Sequence, residues 1–199
     1  MAVEWVLASG NTGKVKEFQR LMEGFGVSVL AQSQFDIESA EESGSTFIEN
    51  ALIKARYASA QTGLPALADD SGLVVPFLGG APGVISARYA GEDASDHDNN
   101  QKLLAELAGV SGVDRSAYFV CVLVFLRHAQ DPLPIVAQGL WRGEVAETAS
   151  GTNGFGYDPL FFVPELACSA AQLSTDKKAE WSHRGHAFRA LSAQLDAMT

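Results

Sequence analysis

Apolar residues fall in short blocks separated by polar turns, and the spacing inside each block assigns its type. Val6-Leu-Ala-Ser9 is a brief apolar run stopping at Gly10-Asn11, which reads as a buried strand. Behind it Val15, Phe18, Leu21, Met22 and Phe25 recur at helical intervals and make one apolar face, with Gly24 and Gly26 ending the helix. Val27 to Ala31 reads as a second strand, so the chain opens strand, helix, strand. Thr46-Phe-Ile-Glu49 is a capping box that starts a helix reaching about Thr62-Gly63. Pro65 to Ala68 is a short strand running into Asp69-Asp70-Ser71-Gly72, and Gly79 to Gly83 is a loop before one helical turn at Ser86 to Tyr89. Asp96 to Leu107 forms a helix with Leu103, Leu104 and Leu107 facing inward. Ala117 to Leu126 and Ile135 to Glu147 are the long strands of a sheet, joined by a loop with Asp131, Pro132 and Pro134. Gly151 to Gly156 is a loop, and from Ser182 onward a last helix lines up Phe188, Leu191 and Leu195. No repeat, linker or low-complexity stretch interrupts the pattern. It predicts an α/β fold over residues 1–199 as a single domain, in which any two lobes are interleaved.

Composition narrows the function. Asp plus Glu is 24 against 14 for Lys plus Arg, a formal net charge of −10, so no basic footprint for nucleic acid or for a membrane surface is present. A protein of this charge that handles phosphates must gather its few cations or borrow a metal ion. The longest apolar run, Phe119 to Leu126, suits a buried strand and is too short to cross a bilayer. Cys121 and Cys168 have no zinc-binding or paired spacing, and the first residues lack the basic, apolar pattern of a signal peptide. The expectation is a cytoplasmic protein.

Five segments carry candidate chemistry. Ser9-Gly10-Asn11-Thr12-Gly13-Lys14 joins a strand end to a helix start and has the makings of a phosphate cradle: bare backbone N–H groups, a helix N-terminus and a lysine. Its spacing is not that of a Walker A loop, and an ordinary capped turn explains it equally well. Asp69-Asp70-Ser71-Gly72 sets adjacent carboxylates on opposite sides of extended backbone, so one can hold a metal while its neighbour fixes the surroundings; an Asx turn is the plainer explanation. Glu41-Glu42 reads first as a solvated face, with a second metal carboxylate as the alternative, and Asn50 and Lys54 read as an exposed helical pair. In Gly154-Phe155-Gly156-Tyr157-Asp158-Pro159 an aromatic between glycines can serve as a stacking platform, against a tight turn with one core ring. Lys178, His183 and Arg184 gather cations near a helix start, where the dipole prefers anions, which suits a phosphate or a carbonyl-bearing ring. His183 and His186 have no third ligand nearby for zinc.

Taken in order, these segments resemble the inosine triphosphate pyrophosphatase family. The resemblance is carried by Ser9 to Lys14, Thr46 to Ala51 with Lys54-Ala55, Ala68 to Leu73, Gly79 to Gly83 with Ser86 to Tyr89, Gly154 to Pro159 and Ser182 to Gly185. Ser9 stands where that family more often has threonine. The resemblance implies an elongated α/β protein with a long mixed sheet flanked by helices, two interleaved lobes with a central cleft, and a homodimer. It implies Mg²⁺-dependent hydrolysis of ITP, dITP or XTP to the monophosphate and pyrophosphate. Asp70 is then the proton acceptor and a metal ligand, with Glu41 favoured over Glu42 as the second carboxylate. Residues Ser9 to Lys14, Lys54 and Ser71 meet the substrate, with Lys14 and Lys54 as cations for the phosphates. Phe155, Gly156, Tyr157, Asp158, Lys178, His183 and Arg184 are also substrate-binding, with Phe155 stacking on the purine, Asp158 accepting its N1–H, and His183 or Arg184 donating to the 6-oxo group. Two other readings compete: a related Maf-like pyrophosphatase acting on pyrimidine or modified nucleotides, and a catalytically silent nucleotide-binding protein.

Overall fold

The computed structural model describes residues 3–23 and 26–198. The predicted opening is there. Strand β1 (Val3–Ala8) leads into helix α1 (Thr12–Leu21) and then β2 (Val27–Ala31), which pairs with β1 in parallel, Trp5 opposite Val29. Gly24 and Phe25, expected to end α1 and extend its apolar face, lie outside the described residues. Helix α2 (Phe47–Thr62) begins at the expected capping box, Thr46 accepting from the Glu49 amide while Glu49 accepts from the amides of Ser45 and Thr46.

Strand β3 (Ala66–Val74) corrects the sequence reading. The short strand does not end at the acidic pair; it continues through Asp69-Asp70-Ser71-Gly72 as regular extended backbone, with both aspartates buried. Turn-forming composition is overridden because each carboxylate finds a cation, as shown below. The remaining elements are α3 (Asp96–Glu106), β4 (Ser116–Leu126), β5 (Ile135–Val145), β6 (Phe161–Val163), β7 (Cys168–Ser169), α4 (Thr175–Trp181) and α5 (His183–Asp196). Strand β5 ends at Val145, two positions before the expected Glu147. Its residues alternate strictly between buried and exposed, whereas β4 is buried almost throughout.

Among the described residues the strands form a seven-stranded mixed sheet in the order β2-β1-β3-β4-β5-β6-β7. β1 pairs in parallel with both β2 and β3, and β6 is antiparallel to both β5 and β7. The chain forms two compact units, each assembled from separated segments, as the lack of any linker suggested. Unit 1 comprises the residues up to Asp70, Cys121–Gly139 and those from Arg184 on; unit 2 comprises Ser71–Val120 and Leu140–His183. Each has its own core. That of unit 1 joins Trp5 and Leu7 of β1, Phe18 of α1, Leu67 of β3, Leu123 and Phe125 of β4, and Ala187, Phe188 and Leu191 of α5. That of unit 2 joins Leu103 and Leu107 of the α3 region with Phe119, Trp141, Val145, Phe161 and Val163 from its strands. Among the described residues no helix is long and apolar enough to cross a membrane.

Candidate active site

In unit 1, adjacent residues of β3 meet two different lysines. Strand geometry turns Asp69 and Asp70 to opposite faces. Asp69 pairs with Lys14 of α1 at 2.9 Å, and Asp70 pairs with Lys54 of α2, also at 2.9 Å. Lys54 is held from a second side by Glu42 at 2.8 Å, so two carboxylates converge on one ammonium. The glycine-bearing segment closes on Lys14: Asn11 caps α1 by accepting from the Lys14 amide at 3.1 Å, and Ser9 accepts from the Asn11 amide. Ser9, Gly13 and Lys14 are half-buried, while Gly10, Asn11 and Thr12 are exposed at the helix start. The capped turn and the lysine-bearing cradle are therefore the same object.

Asn50 is not the exposed helical residue expected. It is 1% exposed, accepts from the Gly44 amide at 2.8 Å and reaches Asp70 Oδ2 at 3.4 Å, tying the acidic turn to β3. Lys54 is also largely buried. Of the two glutamates, Glu42 is brought to Lys54, while Glu41, favoured on the sequence, is exposed. Arg184 opens the last unit-1 segment and pairs with Glu17 of α1 at 2.9 Å. Sequence reasoning missed Glu17, because its partner lies on the last helix and only the folded chain joins them.

The two aspartates differ in protonation chemistry. Burial presses the Asp69 carboxyl upward, but the charges of Lys14, Arg184 and Lys54 outweigh it and hold it down at about 2. Asp70 goes the other way: burial raises it above its ordinary value, and Lys54 and Lys14 only partly offset that. Burial would lower the Lys54 ammonium, yet Asp69, Asp70 and Glu42 together raise it. Asp69 is thus a fixed negative counter-charge, and its neighbour is a carboxylate with enhanced proton affinity.

The sign of the Asp69 shift sets a stability test. Its folded value of about 2 lies below the unfolded one, so its contribution, about 2 kcal/mol, is present above the unfolded value and disappears as pH falls toward 2. Urea unfolding of the wild type and Asp69→Asn is expected to differ at pH 7 and to converge near pH 2.

Unit 2 holds the other candidates. Asp158 Oδ2 accepts from Lys178 Nζ at 2.6 Å and from the Phe155 amide at 2.9 Å, and Lys178 lies 4.9 Å from the centre of the Phe155 ring. Lys178 and Asp158 are both buried. Gly154 is required here: a Cβ would collide with the Asp158 carboxylate, and its φ of +77° belongs to glycine. Phe155 is half-buried, whereas Tyr157 is a core residue whose hydroxyl donates to the Ser86 carbonyl at 2.8 Å. His183 is 2% exposed and stacks on Phe119, ring centres 4.7 Å apart. Ser71 and Gly72 continue β3 in this unit.

Residues 5–194 match the model of the Ham1 family. The chain is 58% identical over 194 residues to the dITP/XTP pyrophosphatase of Vibrio parahaemolyticus, covering 98% of this chain and 97% of that one. It is 59% identical to the dITP/XTP pyrophosphatase of Erwinia tasmaniensis, covering 97% and 93%. A solved HAM1 protein from Coxiella burnetii superposes with a TM-score of 0.90 at 48% identity, over 98% of this chain and 99% of that one.

Proposed function

The chain belongs to the Ham1 family, and from that premise we propose that it hydrolyses ITP, dITP and XTP to the monophosphate and pyrophosphate, clearing deaminated purines from the nucleotide pool. The observation that carries the reading is the divergence of the neighbouring carboxylates on β3. Asp69 stays charged and orients Lys14, while Asp70 is primed to take a proton. In this mechanism Asp70 accepts the proton of the water that attacks the α-phosphorus. Lys14, Lys54 and the backbone N–H groups of Ser9 to Lys14 neutralise and orient the triphosphate.

The donor set suits Mg²⁺, which takes one or two carboxylates and completes its shell with water and phosphate oxygens. Asp70 and Glu42 already share one cation, Lys54, so this pair meets the requirement. Asp70 with Glu42, or with Glu41, would hold the ion, which when bound neutralises phosphate charge and the leaving pyrophosphate.

Base choice rests on Phe155, Asp158 and His183. Phe155 stacks on the purine, Asp158 accepts the N1–H that hypoxanthine and xanthine carry and adenine lacks, and His183 or Arg184 donates to the 6-oxo group. Each polar group left unsatisfied by adenine costs ~1–3 kcal/mol, so two mismatches give ~10²–10⁴-fold discrimination. A cytoplasmic homodimer accords with this role.

Purified protein incubated with a nucleotide panel, with and without Mg²⁺, tests the proposal. Pyrophosphate released from ITP and XTP far faster than from ATP supports it. Orthophosphate as the primary product, preference for pyrimidine nucleotides, or binding without turnover would each replace it.

A further inference from the structure

The aromatic platform sits on a loop with unusual freedom, since glycines flank Phe155 on both sides with φ of +77° and +62°. A ring that selects a base needs its backbone fixed, because a loosely held platform loses affinity to the entropy of ordering it. One hold is the Phe155 amide on Asp158. The second comes from helix α3. The Gly156 N–H donates to Asp96 Oδ2 at 2.6 Å, and the Gly156 carbonyl accepts from Asn100 Nδ2 at 2.9 Å. Asp96 and Asn100 lie four residues apart, hence on one face of α3. The anion meets the N–H and the amide donor meets the carbonyl, so the two peptide groups around Gly156 are gripped by complementary chemistry. The grip is anchored, because Leu103 is fully buried in the unit-2 core and Asn99 ties α3 to the Ala90 amide and the Ala87 carbonyl. Among the described residues the buried Asn100 Oδ1 has no hydrogen-bond partner, and the hydrogen bond from Nδ2 to the Gly156 carbonyl orients this amide.

We infer that Asp96 and Asn100 are positioning residues for base recognition: through Gly156 they fix the Phe155 platform and thereby set affinity for the purine, without touching the reacting atoms. The inference rests on the reading of Phe155 proposed above.

Steady-state hydrolysis of ITP by Asp96→Ala and Asn100→Ala tests it. Losing one hydrogen bond of this kind is expected to raise KM about tenfold while kcat stays within about threefold. Asp96→Asn, whose amide oxygen still accepts from the Gly156 N–H, is expected to recover most of that loss. Inorganic tripolyphosphate, which has no base, is expected to inhibit the wild type and all variants equally. An unchanged KM, a fall confined to kcat, or tripolyphosphate inhibition weakened in step with KM overturns the inference. Should either alanine variant fail to fold, the near-isosteric Asn100→Asp, which turns an acceptor toward the Gly156 carbonyl, carries the same expectations. A wild type that hydrolyses no purine triphosphate overturns the functional reading and this inference with it. An active wild type with unaffected variants overturns the inference alone.

Discussion

Asp70→Asn is expected to lower kcat on ITP at least ~10²-fold at saturating Mg²⁺, the low end for losing an acid–base group. The substitution keeps the shape of the side chain but replaces the basic carboxylate with an amide too weakly basic to receive the proton. Because burial holds the Asp70 carboxyl above its ordinary value, activity in the wild type depends on deprotonating a group of raised pKa. Activity should therefore fall on the acid side at a pH displaced upward from the ordinary aspartate value, and the residual rate of Asp70→Asn should lose that limb. The fold should survive, since a neutral side chain is easier to bury than the carboxylate it replaces and Lys54 keeps Glu42 as a partner. A variant with near-normal turnover, or one retaining the same acid limb, would remove Asp70 from the role of base.

The second large effect concerns the Lys178–Asp158 pair. Both side chains are at least nine-tenths buried, so deleting one charge strands the other away from water. Lys178→Met is expected to cost about 3–5 kcal/mol, read as a lowered urea midpoint. It should also loosen the Phe155 loop, because Asp158 uses the same Oδ2 for Lys178 and for the Phe155 amide. Adding Asp158→Asn removes the stranded charge while leaving an oxygen for that amide, so the double variant should recover much of the stability. It should not recover discrimination between ITP and ATP, which needs the carboxylate as acceptor for the purine N1–H. Recovery of both would reduce the pair to a structural role, and a Lys178→Met variant as stable as the wild type would show that the pair is not buried as described.

Much of the fold could be read in advance wherever one face of an element is apolar. Helices α2 and α3 and strands β4 and β5 appear within about two residues of their expected limits, because their periodicity reflects burial directly. Strand β3 runs on past Ala68, where Asp, Ser and Gly favour a turn locally, because Lys14 and Lys54, supplied from other elements, make the extended form stable. Strands β6 and β7 and helix α4 are too short for a period to show. The residue types of the candidate site were legible from their motifs. Their partners are not: nothing local to Asn50 reveals that Gly44 and Asp70 close over it, and nothing in the sequence of α3 reveals that Asp96 and Asn100 meet the loop around Gly156.

The core of unit 1 takes Leu7 from the first strand and Leu191 from the last helix. During translation that core stays open, its apolar strands uncovered, until α5 has left the ribosome. A message cut short before Arg184 therefore yields no smaller working enzyme, only a polypeptide with a sticky flank for chaperones and proteases to meet.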